Sequence, residues 1–272
     1  MMRSLWTAAS GMICQQCNVD TISNNLANVN TIGYKKERLE FKTLLYETLM
    51  RADLDPANQT GRPVNLQIGH GVRPVSTSRI FTQGNLERTD NSNDMAIEGD
   101  GFFVVDRGGG NLAYTKDGSM KVSVSGNGGM LVTSEGYPYL GIDDAPIVIP
   151  SNVSVKDLTV DEQGRLSYVD ARGQNQGLGL QIKLVQFSNP QGLESSGSNL
   201  MLATAASGPE LIEANGEANR ASRIMQGVVE MSNVAVAEEM VSLIMAQRAY
   251  DINAKAIVAS DEMLQGANNL KR

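Results

Sequence analysis

The chain has 272 residues, of which 41% are hydrophobic and 19% are charged, so it is long enough to fold into more than one globular domain. Its formal net charge of −7 and its lack of a long basic run argue against a nucleic-acid-binding protein, because affinity for phosphates requires clustered Lys and Arg. No stretch contains 18 consecutive apolar residues and the N-terminus lacks the apolar core of a signal peptide, so we expect neither a membrane-spanning helix nor a cleaved secretion signal.

A heptad repeat of apolar residues begins near the N-terminus. Leucine, methionine or valine recurs every seven residues at one position of the repeat, and alanine, isoleucine or valine recurs at a second position. With Ser4 as its N-cap, this pattern predicts a helix from about residue 4 to residue 29. Such a seam packs against another helix, either inside one globular domain or between copies of the chain.

The polar side of this predicted helix carries little charge. Residues 1–33 contain only two charged side chains, Arg3 and Asp20, and many of the other polar residues are amides. Because an amide both donates and accepts hydrogen bonds, it can be buried where each group finds a partner. Both sides of the helix are therefore suited to burial, and we predict an assembly interface. Its predicted residues are Leu5, Ala8, Met12, Val19, Ile22, Asn24, Asn25, Leu26, Asn28 and Val29.

Two cysteines in a C-x-x-C arrangement lie within this helix, and they are the only cysteines in the chain. A structural zinc site requires four nitrogen or sulfur ligands, whereas Cys14, Cys17 and the single histidine, His70, supply three. A thioredoxin-like redox pair normally adjoins a βαβ pattern, which this helical context does not provide. We predict that both cysteines are small packing residues, with a redox pair as the alternative. We expect no metal and no cofactor.

The segment after the first helix changes character. Gly33 is predicted to form a turn, and the charged sequence KKER follows it. Residues 46–74 contain Pro56, Pro63 and Pro74 and follow neither a helical nor a strand period. Long connections of this kind are usually either functional or disordered. We therefore predict an extended linker or insertion over residues 46–74.

Alternating apolar and polar residues mark the middle of the chain. KVSVS at residues 121–125 alternates, and apolar residues at positions 158, 160, 166 and 168 flank the turn DEQG, which predicts a β-hairpin. The glycine-rich stretches GDGFF and GGGN lack the spacing of a phosphate-binding loop, and no catalytic triad is evident around the histidine. We predict a mostly β domain over residues 75–222 and no catalytic residues.

A second apolar heptad repeat occupies the C-terminus and predicts a helix from residue 233 to about residue 269. Ser232 or Asn233 can cap its start, and Glu238 and Glu239 suit the positive end of the helix dipole. Heptad helices at the two ends of one chain can pair with each other and pack against neighbouring copies. The predicted interface residues of this helix are Val236, Met240, Leu243, Tyr250, Ala254, Ile257 and Leu264.

Together these patterns predict an α+β protein. Long N- and C-terminal helices pair as a coiled-coil-like assembly domain, and a mostly β domain lies between them in the chain. The predicted divisions are an N-terminal assembly helix and turn at residues 1–45, the linker or insertion at 46–74, the β domain at 75–222 and a C-terminal assembly helix at 223–272.

Several stretches resemble the signatures of bacterial flagellar rod and hook proteins. SNNLANVNTIGYKK (residues 23–36) resembles the N-terminal signature of that family, and the sequence from QGVVEMSN to SDEML (226–264) resembles its C-terminal signature. QGNLERTDNSNDMAIEGDGFFVV (83–105), YTKDGSMKV (114–122) and FSNPQGLESSGSNL (187–200) are similar to its central β region. The stretches stand in the family's order and span nearly the whole chain.

The resemblance implies a structural subunit that polymerises into a tubular rod and is not an enzyme. It implies export through the flagellar type III channel without a cleaved signal, followed by assembly in the basal body as a rod that crosses the periplasm. The implied partners are copies of the chain, the proximal rod and hook subunits, the surrounding envelope rings and the export apparatus. Neither nucleic acid nor direct membrane insertion is implied.

Within the family, LQIGHGVRPVSTSRIFTQGNL at residues 66–86 is similar to the distal rod branch in particular. The alternatives are a proximal rod subunit, a short hook subunit or, from another class, a C-x-x-C oxidoreductase. In the distal rod branch, the insertion before LQIG is associated with a straight and stiff rod. The resemblance assigns no role to CQQC, because the family commonly has polar or small residues there. The implied stiffening residues are Tyr46, Pro56, Gly61, Pro63 and Leu66.

Overall fold

The computed structural model shows two compact units in the chain. The terminal unit is formed by Met1–Ala27, Glu37–Ser78 and Ala235–Arg272, and the central unit is formed by Asn28–Lys36 and Arg79–Val234. The structure describes residues 2–54, 61–62, 64–125, 128–151, 153, 158–170, 174–216 and 221–269.

Both helices predicted from the heptad patterns are present, and both belong to the terminal unit. The prediction of Ser4 as N-cap is wrong, because α1 begins before Ser4. Helix α1 spans Met2–Ala27, helix α2 spans Val236–Asn269, and the two helices contact each other. Helix α2 starts later than predicted because Asn233 is engaged within the central unit, where its side chain accepts a hydrogen bond from the Lys36 amide and donates one to the Ile80 carbonyl. Within the described part of the chain, none of the helices contains an apolar stretch that could span a bilayer.

A ribbon of paired strands completes the terminal unit, and the sequence pattern did not reveal these strands. They are β1 (Glu37–Thr43), β2 (Tyr46–Met50), β3 (Asp53–Leu54), β4 (Gly61–Arg62), β5 (Leu66–Gly69) and β6 (Val72–Arg79). Strand β1 pairs with β6, β2 with β5 and β3 with β4, so the pairs are nested. Most residues of β1, β2, β5 and β6 are exposed, and a strand without a buried face needs no apolar–polar alternation.

The central unit is built mainly of short strands, as predicted for the middle of the chain. They are β7 (Leu86–Arg88), β8 (Met95–Glu98), β9 (Phe102–Asp106), β10 (Leu112–Thr115), β11 (Lys121–Ser125), β12 (Gly128–Val132), β13 (Val148–Pro150), β14 (Leu158–Val160), β15 (Arg165–Val169), β16 (Asn175–Gln181), β17 (Leu184–Phe187), β18 (Glu194–Gly197), β19 (Leu200–Leu202), β20 (Glu210–Ile212), β21 (Arg223–Gln226) and β22 (Val228–Glu230). Short 3-10 helices lie at Pro190–Gly192 and Glu213–Asn215.

The strands of the central unit form one large sheet and several small ones. The six-stranded sheet has the order β18-β19-β10-β9-β17-β20, and three-stranded sheets are formed by β11-β12-β13 and by β14-β15-β16. Strand β21 pairs with β8, and β22 pairs with β7. The predicted hairpin is confirmed, because Leu158 pairs with Tyr168 and Val160 with Leu166 across β14 and β15.

Strand β9 is buried on both faces and supplies both clusters of the core. Phe103 and Val105 pack into one cluster, and Phe102 and Val104 pack into the other. The continuous apolar run FFVV is typical of a strand covered on both sides. Burial of each such side chain contributes about 1.5–3 kcal/mol, so β9 is a major source of stability in the central unit.

Gly33 lies in a turn of the central unit that only glycine fits. Its φ is +70°, and its amide donates a hydrogen bond to the Glu230 carbonyl at 2.8 Å. A Cβ at this position would lie 2.7 Å from the backbone nitrogen of Asp117 and 2.8 Å from the carbonyl carbon of Lys116. Both the left-handed conformation and the close approach therefore exclude a side chain.

We expect Gly33→Ala to lower the free energy of unfolding by about 3 kcal/mol, because backbone atoms on the opposing segment cannot move aside easily. The matched control is Gly109→Ala, since Gly109 has nearly the same φ, +71°, but has nothing within 4 Å of a built Cβ. The control should lose only about 1 kcal/mol from backbone strain. Calorimetric unfolding of the purified chain measures both. Equal losses would contradict the role given to the close approach.

Candidate assembly surface

The predicted interface residues divide into those covered within the terminal or central unit and those left exposed. Ala8, Ile22 and Asn25 are buried, Leu5, Met12, Val19, Leu26, Asn28 and Val29 are half-buried, and Asn24 is exposed. On α2, Leu243, Ala254, Ile257 and Leu264 are half-buried, and Val236, Met240 and Tyr250 are exposed. The predicted apolar residues of both helices are thus only partly covered within a single chain.

Burial on α2 follows a row that apolar pattern counting did not select. Glu239, Ala246 and Ser260 are the buried residues of the helix, and Asn253 in the same row is half-buried. This row begins one residue before Met240, which the sequence pattern placed in the second seam position. Because its members are polar or small, the available signal was their seven-residue spacing rather than hydrophobicity.

Asn25 and Glu239 form a buried polar contact between the two helices. Asn25 is 1% exposed and Glu239 is 2% exposed. The Asn25 Nδ2 donates to Glu239 Oε2 at 3.2 Å and to the Glu37 carbonyl at 2.8 Å, and its Oδ1 accepts from the Glu37 amide at 2.9 Å. Glu239 lies in the first turn of α2, where the helix dipole favours a carboxylate. An amide and the dipole therefore stabilise this buried charge.

Two further contacts show that the helices run antiparallel at close range. The Oγ atoms of Ser4 and Ser260 are 3.1 Å apart. Ser260 also donates a hydrogen bond to the Ala256 carbonyl at 2.8 Å. Gly11 lies against Asn253, because a Cβ built on Gly11 would be 2.8 Å from Asn253 Nδ2. A larger residue at position 11 would separate the helices or displace the Asn253 side chain.

Exposed apolar side chains are concentrated in the terminal unit. In the described chain, 24 large hydrophobic residues are exposed, and only Val124, Val148, Val169 and Met225 of these lie in the central unit. A helix with apolar residues on all sides is typically buried, and a large exposed apolar surface marks an interaction site. The exposed apolar residues of α2 are Val236, Met240, Val241, Ile244, Met245, Tyr250, Ile252, Val258 and Met263.

The ribbon is attached to the first turns of α1. The Arg3 Nη2 lies 2.7 Å from Glu47 Oε2, and the His70 Nε2 lies 3.7 Å from the same oxygen. Farther along the helix, the Ser10 Oγ accepts a hydrogen bond from the Val72 amide at 3.4 Å. The base of the ribbon is therefore tied to α1 at two levels.

The predicted stiffening residues occupy this ribbon where they are described. Tyr46 and Leu66 are exposed in β2 and β5, and Tyr46 pairs with Gly69 across the two strands. Gly61 pairs with Leu54 between β4 and β3. Pro56 and Pro63 lie outside the described residues.

The two cysteines have the surroundings of packing residues. Cys14 is buried and Cys17 is half-buried, and both thiols are free. Burial raises the pKa of the Cys14 thiol above its ordinary value, with a smaller contribution from Cys17. A raised pKa leaves less of the thiolate form that acts as nucleophile or metal ligand. Within the described ranges, no group of three or more His, Cys, Asp or Glu side chains could hold a metal ion.

Comparisons with known proteins match both ends and the middle of the chain. The family model described as Flagella basal body rod protein matches residues 5–35, the model Flagellar hook protein FlgE/F/G D1 domain matches 96–168, and the model Flagellar basal body rod FlgEFG protein C-terminal matches 225–270.

Full-length relatives agree with these matches. The flagellar basal-body rod protein FlgG of Borreliella burgdorferi is 49% identical over 273 residues, and that of Bacillus subtilis is 37% identical over 272 residues, each alignment covering 100% of both chains. The flagellar hook-basal body complex protein FlhP of Bacillus subtilis is 34% identical over 277 residues, again with complete coverage.

Proposed function

The chain belongs to the family of flagellar basal-body rod proteins, and we propose that it is a structural subunit of the distal rod. Members of this family are structural proteins, not enzymes, and they assemble with copies of themselves and with other rod and hook components. The observation that carries the proposal is the full-length identity to FlgG proteins of several bacteria. A proximal rod or hook subunit is the alternative, since the central match is named for a hook protein domain.

The terminal unit is the assembly surface in this proposal. Its helices pair in a coiled-coil-like manner through the contacts of Asn25 with Glu239 and of Ser4 with Ser260. The exposed apolar side chains of α2 then pack against neighbouring subunits in the wall of the tube. Close-packed interfaces resist deformation, which a torque-transmitting driveshaft requires.

The sequence divisions acquire roles in this proposal. Residues 1–45 and 223–272 supply assembly helices, residues 46–74 supply a stiffening insertion, and residues 75–222 form the β body of each subunit. The stiffening role is supported by the attachment of the ribbon to α1 through Arg3, Glu47 and Ser10. A chain with residues 51–65 removed should still be exported and assembled, but its rods should be curved in electron micrographs of isolated basal bodies. Straight rods would remove the stiffening role.

The proposed location is the rod that crosses the periplasm between the inner membrane and the hook. The subunit reaches it through the flagellar type III export apparatus without a cleaved signal. Its neighbours in the rod are the proximal rod subunits on one side and the hook subunits on the other, with envelope rings around it. Neither a nucleic acid nor direct insertion in a membrane is part of this function.

Electron microscopy of basal bodies from a strain lacking this gene tests the proposal. A shortened rod without a hook is the expected result, because the proposed subunit forms the part of the rod that adjoins the hook. A full-length rod that lacks only its hook would assign the chain to the hook. Normal flagella would overturn the assignment to the rod.

The double substitution Cys14→Ala, Cys17→Ala addresses the oxidoreductase alternative. We expect motility on soft agar to be unchanged, because Cys14 is buried and its raised pKa keeps it protonated. Removing the buried sulfur costs about 1 kcal/mol of stability at most sites of this size. Loss of motility by a chain that folds and is exported normally would support a thiol function. The two single substitutions are the controls, because they distinguish the loss of packing at one cysteine from the loss of a function that requires both thiols.

A further inference from the structure

Polar and small residues recur every seven positions on the facing sides of the two helices. Three contacts between such residues share one antiparallel register: Ser4 with Ser260, Gly11 with Asn253, and Asn25 with Glu239. The same register brings Asn18 level with Ala246. We call the whole set the polar seam: Ser4, Gly11, Asn18 and Asn25 on α1, and Glu239, Ala246, Asn253 and Ser260 on α2.

The apolar residues beside this seam do not define the register by themselves. Leu5, Met12 and Val19 recur every seven residues on α1, as do Leu243, Tyr250 and Ile257 on α2. Because positions seven residues apart return to the same side of a paired helix, a slide of seven residues brings each of these apolar rows back to an equivalent position. Burial of apolar area is non-directional, so such a shift changes its contribution little.

We propose that the polar seam fixes the register in which α1 and α2 pair, and so determines how the assembly surface of each subunit is presented. The inference rests on the proposed function, because it concerns the helix pair that carries that surface. Buried polar residues in paired helices are known to select one register at some cost in stability. Here the selecting groups are an amide–carboxylate pair, a glycine–asparagine contact and a serine pair.

The contacts of the polar seam differ from one position along the helix pair to the next. The amide of Asn25 is already committed to both backbone groups of Glu37, so its remaining hydrogen is directed at Glu239 Oε2. Gly11 is the only glycine of α1, and it lies against Asn253. The two levels therefore differ in shape and in hydrogen bonding, unlike the levels of the apolar rows.

A shift of seven residues in either direction loses these contacts. In one direction Asn25 comes level with Ala246, and Asn253 meets Asn18 in place of Gly11. In the other direction Asn253 comes level with Ser4, and Asn25 passes the first residue of α2. In the first case no residue of α1 lies level with Glu239, and a buried polar group that loses a hydrogen bond is strongly disfavoured. In the second case Glu239 comes level with Asn18, but α2 no longer reaches Asn25, so the contact of Asn25 with Glu239 is lost.

Disulfide trapping in the full-length chain measures the register. In a Cys14→Ala, Cys17→Ala background, Ser4→Cys with Ser260→Cys reports the native register, since these Oγ atoms are 3.1 Å apart. Ser4→Cys with Ala267→Cys or with Asn253→Cys reports a shift of seven residues in one or the other direction. Each pair is oxidised in dilute solution, and intramolecular cross-links are quantified by peptide mass spectrometry.

Every reporter replaces Ser4, and two of them also replace Ser260 or Asn253, so the experiment tests the part of the seam formed by Asn25 and Glu239. With Asn25 and Glu239 unchanged, only the native reporter should cross-link. After Asn25→Leu with Glu239→Leu, the yield of a shifted reporter relative to the native one should rise about tenfold or more. The reason is that the buried hydrogen bond that lowers the free energy of the native register relative to the shifted ones is lost. The matched control is Asn24→Leu with Glu238→Leu, since these are the same residue types one position earlier and both are exposed. The control should cross-link in the native register alone.

A second pair of variants covers the possibility that the leucine variant does not fold. Asn25→Asp places a carboxylate against Glu239 and should raise the shifted yield, and adding Glu239→Gln should restore the native yield because its amide donates to that carboxylate. Native cross-links alone in every variant of Asn25 and Glu239 would overturn the proposal, as would the absence of any cross-link when Asn25 and Glu239 are unchanged. The rod assignment is tested separately by electron microscopy of basal bodies. A negative result in the cross-linking experiment can therefore be distinguished from a wrong assignment to the rod.

Discussion

A strain whose only copy of this gene carries Met245→Glu and Ile252→Glu should be non-motile and should lack hooks. These side chains are 66% and 65% exposed, lie seven residues apart on α2 and share one side of the helix. In the proposed tube wall that side packs against a neighbouring subunit. Burying an unpaired carboxylate in such an interface costs several kcal/mol, and each 1.4 kcal/mol corresponds to about a tenfold loss of affinity.

The same substitutions should leave the isolated chain folded. Exposed positions away from caps and networks usually change stability by less than about 0.5 kcal/mol, so circular dichroism and export should remain normal. Val124→Glu is the control, because Val124 is 88% exposed in the central unit and also exchanges an apolar side chain for a carboxylate. The control strain should swim. Normal rods in the α2 variant would show that this side of the helix does not contact a neighbour.

The helices were predictable because hydrophobic periodicity is local information. The apolar residues of α1 and α2 recur with a helical period, and the hairpin of β14 and β15 is marked by its turn and alternation. The first residue of α2 was harder to predict from the sequence. It depends on hydrogen bonds from Asn233 to Lys36 and Ile80, which are distant in the sequence.

Two features could not be read from hydrophobicity. The ribbon formed by β1 to β6 is largely exposed, so its sequence shows no alternation. The buried row of α2 contains Glu239 and Ser260, which apolar counting assigns to the surface. Only the partner residues explain their burial, because Asn25 and Ser4 satisfy them. A pattern of apolar residues along one helix therefore does not reveal hydrogen bonds between polar residues that are distant in the sequence.

Lys35→Met should lower the free energy of unfolding of the central unit by about 3–5 kcal/mol, because it leaves a buried carboxylate without its cation. The Lys35 Nζ lies 2.6 Å from Glu230 Oε1, and both side chains are 0% exposed. Lys35 also donates to the Thr82 carbonyl at 2.9 Å, and Glu230 Oε1 accepts from the Gly84 amide at 2.9 Å. The second oxygen of Glu230 is buried with no hydrogen-bond partner among the described groups, so little remains to stabilise the charge once the lysine is lost.

A neighbouring cation does not replace Lys35. Burial, with a smaller contribution from the charge of Lys35, lowers the pKa of Lys116 to about 8. Its Nζ is committed to the Gly99 carbonyl at 2.8 Å. Lys35→Met should therefore reduce the calorimetric midpoint by roughly 10 °C for a unit of this size.

Removing both charges separates the value of the pair from the cost of an orphaned charge. Lys35→Met with Glu230→Met should recover most of the lost stability, because a buried ion pair and an apolar pair of similar volume are often nearly equivalent. The exposed pair of Arg223 and Glu162, 3.8 Å apart, is the control. Arg223→Met should change stability by less than about 1 kcal/mol. A double variant as unstable as Lys35→Met would mean that shape and hydrogen bonding, rather than uncompensated charge, make Lys35 necessary in the segment that follows α1.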